Sequence, residues 1–107
     1  MGMTIVVTDS TPTGQQTARL LLAEVPSPIT LRELIRFRVR EEVARRNART
    51  TARRNWESAA DTAVRAFSRN GFFVFVGDRQ VDDLDEPLSL AEADEVSFVR
   101  LVPLVGG

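Results

Sequence analysis

The segment Pro26-Ser27-Pro28-Ile29-Thr30-Leu31-Arg32-Glu33 constrains the fold of this chain most, because it marks the change from a β pattern to a helical one. Proline has no backbone N–H, so Pro26 and Pro28 end the preceding strand. Thr30 and Glu33 have the spacing of a capping box, in which each side chain binds a free amide of the other residue. We therefore predict that a helix begins after Thr30. Its apolar residues recur at intervals of three and four, which places them on one stripe facing a core: Leu31, Leu34 or Ile35, Val39 and Val43.

The residues before Pro26 predict a hairpin. Residues 3–8 are rich in β-branched types and indicate a strand. Residues 9–14 form a turn cluster, and residues 17–24 indicate a return strand with Leu20 and Leu22 on one side. An amino-terminal β-hairpin is therefore expected to precede the helix.

A second helical pattern follows the first. Residues 47–51 interrupt the apolar period, which resumes at Ala52 and continues through Trp56 to Phe67. We predict a second helix, or a bent continuation of the first, that ends at Asn70-Gly71. Glycine at that point suits a left-handed cap.

Short strands are predicted for the rest of the chain. Residues 72–76 indicate a strand without polar alternation, and residues 79–81 indicate a short partner beyond a turn. Residues 82–94 form an acidic loop, and we expect its three leucines to anchor it to the core. Residues 95–102 indicate a final strand, with Val96 and Phe98 on one face.

The chain lacks the residue types on which most enzyme sites depend. Its 107 residues suit one domain with its own core, and it contains neither cysteine nor histidine. The usual general bases, thiolate nucleophiles and zinc ligands are therefore missing, which disfavours a hydrolase or a metalloenzyme. We expect no catalytic residues and no metal site. No apolar run has the length of a membrane span and no charged leader precedes one, so a cytoplasmic location is expected.

The carboxyl terminus carries the most position-specific chemistry. The chain ends in Pro103-Leu104-Val105-Gly106-Gly107. Glycine has no side chain to obstruct a nucleophile and adopts backbone angles that other residues resist. Five residues reach about 17 Å at roughly 3.3 to 3.6 Å each. This tail predicts a carboxylate that enters the active site of another protein, and the alternative is a frayed terminus.

The predicted order of elements is two strands, a helix, and two or three strands that run into Gly-Gly. In this respect the chain resembles the ubiquitin-like β-grasp family, which includes the sulfur carriers of molybdopterin and thiamine biosynthesis. The matching stretches are residues 75–81, residues 88–98 and the tail. The resemblance implies an α+β fold with a mixed sheet of four to five strands packed on a helix. It covers nearly the whole chain except a helical insertion around residues 48–70, and it divides the chain into a domain at 1–102 and a flexible tail at 103–107.

The resemblance also implies a function. In the family, an activating enzyme uses ATP to adenylate the terminal carboxylate, so Gly107 would be activated, beside the unhindered Gly106. Pro103, Leu104 and Val105 would be recognised by partner enzymes. In modifiers the acyl group then passes through an enzyme thioester to a target nucleophile, and the chain itself needs no cofactor. The alternatives are a sulfur carrier with a terminal thiocarboxylate and an interaction domain that is not conjugated.

All 14 basic residues are arginine, which a coding bias towards arginine or selection against side-chain amines would explain, and the composition looks bacterial. Bacterial ubiquitination-like operons encode a small ubiquitin-like protein beside an activating enzyme, a conjugating enzyme and a deconjugating peptidase. The chain fits that setting, and these enzymes and the target proteins are its expected partners. A chain without lysine has no side-chain amine to accept the carboxyl group of another copy, so only its amino terminus remains for self-linkage.

Residues 72–76 present apolar groups to both faces of their sheet, although a sheet with a helix on one side usually alternates. One interpretation is an exposed patch that docks activating or peptidase partners. Its expected members are Val74, Val76, Val99 and Leu101. The other interpretation is that the inserted helix covers this face. An exposed Val74 favours docking, and a buried Val74 does not.

Two charged clusters have simpler interpretations beside functional ones. Arginines 45, 46, 49, 53 and 54 lie close to Trp56, which is compatible with nucleic acid or with an acidic partner surface. The simpler interpretation is a solvated helix face, and nucleic acid is the less favoured of the alternatives. Acidic residues 82, 83, 85 and 86 lack the spacing of a calcium loop and indicate a solvated loop.

Overall fold

The computed structural model describes residues 2–49 and 55–100 of the chain. Five strands form the main sheet: β1 (Met3–Ser10), β2 (Gln16–Val25), β4 (Phe72–Val76), β5 (Arg79–Val81) and β7 (Glu95–Arg100). Two short strands, β3 (Ile29–Thr30) and β6 (Pro87–Leu88), pair with each other. The helices are α1 (Leu31–Asn47) and α2 (Trp56–Ser68). The fold is α+β, with a mixed sheet and a packed helix, and is compatible with a β-grasp fold.

The strand order of the sheet places the end of β7 beside the end of β1. The order is β2-β1-β7-β4-β5, and β1 and β7 run parallel while the other pairs are antiparallel. Parallel neighbours need a crossover connection, which the helical segment supplies here. Because of this pairing Val99 lies beside Ser10, and Arg100 lies opposite Phe72. The residues after Arg100 therefore start at this end of the sheet.

Both helices lie on the same face of the sheet. Leu34 and Ile35 of α1 and Phe67 of α2 belong to one core cluster with Val74 of the sheet. Phe72 continues this packing, since its ring lies 5.6 Å from those of Phe67 and Phe98. The inserted helix therefore packs beside α1. It does not cover the opposite face of the sheet.

Side chains cap the amino-terminal ends of both helices. The Thr30 hydroxyl accepts a hydrogen bond from the amide of Glu33 at 3.1 Å, which confirms the predicted start of α1. At the start of α2, Oδ1 of Asn55 accepts from the amides of Glu57 and Ser58 at 2.9 and 3.2 Å. Each cap satisfies amides that have no partner inside the helix.

The carboxyl-terminal end of α2 differs from the prediction in one residue. The left-handed position is occupied by Asn70, with a φ of 60°, and not by Gly71. The amide of Gly71 donates to the carbonyl of Ala66 at 2.8 Å, and the amide of Asn70 donates to that of Phe67 at 3.0 Å. This pair of bonds is a Schellman motif, in which glycine or asparagine is the usual left-handed residue. Gly71 is favoured for another reason, since a Cβ there would lie 3.0 Å from the Ala66 carbonyl oxygen.

Two further segments differ in detail from the sequence patterns. Strand β1 extends to Ser10, so Asp9 lies in a strand and is buried, whereas the sequence placed it in a turn. The turn begins at Thr11, whose carbonyl accepts from the amide of Gly14 at 2.9 Å. The predicted anchoring of the acidic loop is confirmed: Leu88 and Leu90 are buried in the core, and Leu84 packs against it.

Candidate functional site

The tail residues with the expected chemistry lie outside the described residues. These are Pro103, Leu104, Val105, Gly106 and Gly107, and Leu101 of the expected docking patch lies there too. The structure does describe the place from which the tail starts. Arg100, the last residue of β7, pairs with Phe72 at the end of the sheet that also holds Asp9 and Ser10. The surroundings of Arg100 are therefore the first surface that the tail meets.

The structure does not bring the predicted docking patch together, because its two members on β4 lie on the face of the sheet opposite Val99. Val74 has no exposed surface, and its neighbours across the sheet are Val81 and Phe98, which are also buried. Side chains alternate between the faces of a strand, so Val74 and Val76 both point toward the helices. Val76 is half-buried and packs against the core. Val74 cannot contact a partner protein, and neither it nor Val76 shares a face with Val99.

The opposite face of the sheet carries the apolar side chains that no described helix covers. We call this surface the open face and define it by Val6, Leu21, Phe73, Phe75 and Val99. Phe73 lies directly opposite Val99, and Leu21 lies opposite Val6. Leu21 is 54% exposed and the other four are half-buried. The sequence signalled two apolar faces on residues 72–76, but it did not show which face the helices occupy.

A buried ion pair lies under α1 near this end of the sheet. The guanidinium of Arg38 donates to both carboxylate oxygens of Asp9 at 2.6 Å, and its Nε donates to Glu42 at 2.6 Å. Its central carbon lies 4.6 Å from the ring centre of Phe98. Burial alone would lower the pKa of Arg38, but the hydrogen bonds and charges of Asp9 and Glu42 together outweigh it and raise the pKa. Arg38 is therefore a permanent cation that fastens α1 to β1.

Sequence reasoning missed this pair, although one signal for Arg38 was present. Arg38 lies three and four residues after the buried Ile35 and Leu34, so it occupies the core-facing stripe of the helix. Its arginine identity suggested a solvated position instead. Asp9 gave no such signal, because aspartate is common in turns and residues 9–14 have turn composition.

A cavity of about 220 Å³ lies between the two helices and the end of the sheet. We call it the interhelical groove. Its α2 wall is built from small side chains, among them Ala59, Ala63 and Ala66, and its floor includes Phe72 and Phe98. Small residues on α2 leave this space open, because they do not reach across to α1.

A second depression, of about 590 Å³, adjoins the groove and is strongly basic. We call it the arginine depression. Its lining contains five arginines and a single acid, Glu42, which is paired with Arg38. The five are Arg19, Arg45, Arg46, Arg49 and Arg100. The predicted basic cluster is thus partly assembled here, while residues 53 and 54 lie outside the described residues.

Trp56 does not belong to this basic surface. The central carbons of Arg36 and Arg40 lie 5.4 and 5.5 Å from its ring centre, so cations already pack against the indole. The acidic loop pairs with arginines elsewhere, through Arg32 with Asp85 and Arg79 with Glu86. In the part of the chain that the structure describes, no three acidic side chains converge in a way that suits a metal ion.

Compared with known protein families, with curated proteins and with solved structures, the chain shows no significant match in any of the three. Neither α1 nor α2 has both the length and the apolar character needed to span a membrane. The features that bear on function are thus the start of the tail at Arg100, the open face, the interhelical groove and the arginine depression.

Proposed function

We propose that the protein is a bacterial ubiquitin-like modifier whose Gly107 carboxylate is adenylated by an activating enzyme and transferred to target proteins. The observation that carries the proposal is the pairing of β7 with β1 in a sheet compatible with a β-grasp fold. This pairing places Arg100 at the end of the sheet beside Ser10, and seven further residues that end in Gly-Gly follow it in the sequence. Seven residues span up to roughly 23 to 25 Å when extended, which is long enough to enter an enzyme cleft.

The proposed chemistry acts on the terminal carboxyl group alone. A carboxylate oxygen of Gly107 attacks the α-phosphorus of ATP, and pyrophosphate leaves. A cysteine thiolate of the activating enzyme then attacks the acyl carbon and releases AMP. The acyl group passes to the thiol of a conjugating enzyme, and finally an amine of the target displaces that thiol and forms an amide. The absence of a side chain at Gly106 and Gly107 keeps the acyl carbon accessible at each step.

The open face supports the proposal as a surface for the enzymes that handle the tail. Its two phenylalanines and Val99 lie on β4 and β7, and β7 leads directly into the tail. Aromatic side chains that remain partly accessible are frequent anchors of protein interfaces. A partner on this face would therefore hold the domain while its active site receives the tail.

The proposal is tested with purified protein, an adenylating enzyme of the same organism, and ATP. We expect ATP-dependent release of pyrophosphate, an acyl-adenylate, and then covalent conjugates when a conjugating enzyme is added. A chain that lacks Gly106 and Gly107 should form neither, and Arg79→Gln, at an exposed site away from the tail, should form both. Replacement of one terminal oxygen by sulfur, without conjugates, would instead identify a sulfur carrier. Full biological activity of the truncated chain would identify an interaction domain that is not conjugated.

A further inference from the structure

We propose that the interhelical groove and the arginine depression together form a binding site for the chain's own carboxyl-terminal segment, residues 101–107. In this site the apolar tail side chains occupy the groove and the Gly107 carboxylate lies among the arginines. The inference rests on the proposed function, because it concerns when the same tail is available to an activating enzyme.

The groove suits aliphatic side chains in size and chemistry. Its volume is about 220 Å³, and its walls are mainly apolar, with the small residues of α2 facing Phe72 and Phe98. An apolar cavity of about 150 Å³ is large enough to hold benzene. The groove therefore has room for one or two side chains of the size of leucine or valine.

The groove and the depression form one continuous surface. Four residues line both: Val39, Glu42, Ala59 and Arg100. A ligand that fits this surface has an apolar part and, next to it, a negative charge. Among residues 2–49 and 55–100, Arg19, Arg46 and Arg49 have no acidic side chain within ion-pair distance, so they are available to an anion.

The carboxyl-terminal segment, residues 101–107, has this composition in this order. Its apolar residues are Leu101, Val102, Leu104 and Val105, and they are followed by Gly-Gly and the terminal carboxylate. Pro103 has no amide to donate, which disfavours continuation of β7 as an interior strand. Because Arg100 lines both the groove and the depression, the tail begins at the site itself.

A docked tail would be withheld from the activating enzyme. The protein then exists as docked and released forms, and an enzyme that binds only the released tail has its apparent affinity reduced by the released fraction. A partner that displaces the tail from the groove, or neutralises the arginines, would raise that fraction. The site would thus set when the modifier is activated.

The absence of cysteine from the chain allows a direct test. Gly107→Cys, which keeps the terminal carboxylate, carries a nitroxide spin label in the full-length protein, and methyl signals are followed by NMR at low salt. We expect loss of the Ala59 and Ala63 methyl signals, while those of Val81 and Leu84, at the β5 edge of the sheet opposite β2, retain their intensity. Unaffected groove signals, or losses centred on the open face, would overturn the proposal.

Two variants separate tail docking from incidental contact. Arg46→Glu combined with Arg49→Glu reverses two exposed charges and should restore most of the lost intensity. Ala63→Leu, which fills the groove, should do the same, and its unlabelled spectrum shows whether the domain has kept its fold. If the double charge reversal leaves the losses unchanged, the arginines do not hold the carboxylate and the proposal is wrong.

Further measurements identify the occupant and separate this inference from the proposed function. Spin-labelled protein without isotopes can also be mixed with isotope-labelled protein that carries no spin label. Signal losses that appear only in this mixture would show that the tail of one copy binds another copy, and would overturn docking within one chain. A tail that is adenylated normally but never docks would reject only this inference. A tail that docks but is never adenylated would reject only the proposed function.

Discussion

Two parallel hydrogen bonds of 2.6 Å join the guanidinium of Arg38 in α1 to the carboxylate of Asp9 in β1. Both residues are buried, with 5% and 7% of their surface exposed. A buried charge that loses its partner retains the cost of its desolvation. Replacing either residue alone should therefore weaken the attachment of α1 to the sheet.

We predict that Asp9→Ala lowers the free energy of unfolding by about 3 to 5 kcal/mol, because it leaves Arg38 buried beside only Glu42. Replacing the pair together, by Asp9→Leu with Arg38→Met, should cost much less, since no uncompensated charge remains. Urea denaturation measures both. The control is Arg32→Gln, which removes an exposed pair with Asp85 and should cost less than about 1 kcal/mol. Equal losses for Asp9→Ala and Arg32→Gln would contradict this assignment.

The left-handed turn after α2 gives a second prediction. Asn70→Val should destabilise the protein by about 1 to 2 kcal/mol, because a branched side chain resists a φ of 60°. Asn70→Gly should be neutral or slightly stabilising at the same position. Gly71→Ala should also destabilise, since its new methyl group would lie 3.0 Å from the Ala66 carbonyl oxygen. Thermal unfolding measures the stability of the three variants. If Asn70→Gly lowered the melting temperature most, the assignment of Asn70 as the left-handed cap would be wrong.

The two faces of β4 allow a matched comparison of stability with partner binding. Phe75→Arg on the open face should reduce the rate of adenylate formation about tenfold, which corresponds to about 1.4 kcal/mol of lost partner binding. Its effect on unfolding should be small, because Phe75 lies outside the buried core. Val74→Ala should do the reverse, lowering stability by about 2 kcal/mol through lost burial and a small cavity while leaving adenylation of the folded protein intact. An unchanged adenylation rate in Phe75→Arg would show that the activating enzyme does not use the open face.

The absence of lysine predicts which self-linked products form. In the proposed reaction, no side chain of another copy can accept the Gly107 acyl group through an amide bond, because the sequence contains no lysine, and the amino-terminal amine is the expected acceptor. Any chain of linked copies should therefore be linear, with Gly107 joined to Met1 in tryptic peptides. Acetylation of the amino terminus should abolish these products and leave conjugates with target proteins unaffected. A linkage to another residue of the chain, identified by mass spectrometry, would contradict the prediction.

The elements of the fold were largely predictable because their signals are local. Thr30 marks the start of α1, the β-branched run places β1, and the leucines of the acidic loop reach the core as expected. Errors arose where a residue's surroundings come from distant parts of the chain. Asp9 was assigned to a turn from its neighbours, but it pairs with Ala18 and Phe98 in the sheet, and its carboxylate binds Arg38, which is 29 residues away.

The candidate site was predictable only in its sequence-encoded part. The Gly-Gly tail was recognised directly, but Val99 was grouped with Val74 and Val76, which lie on the other face of the sheet. Val74 was wrongly included, because residues 72–76 are apolar in both alternating sets and give no preference for either face. The interhelical groove had no sequence signal, and only arginines 45, 46 and 49 of the arginine depression were signalled, since each surface is formed between elements that are far apart in the chain.

The sequence by itself determined the type and order of the two helices and the five main strands and identified the Gly106-Gly107 pair, because periodicity, capping and side-chain size act over a few residues. Only the tertiary structure decided that α2 packs beside α1, that Val74 is buried while Phe75 faces outward, and that Arg38 is paired beneath the helix. The physical reason is that these outcomes depend on which apolar surfaces bury each other, and a strand with two apolar faces satisfies either arrangement locally.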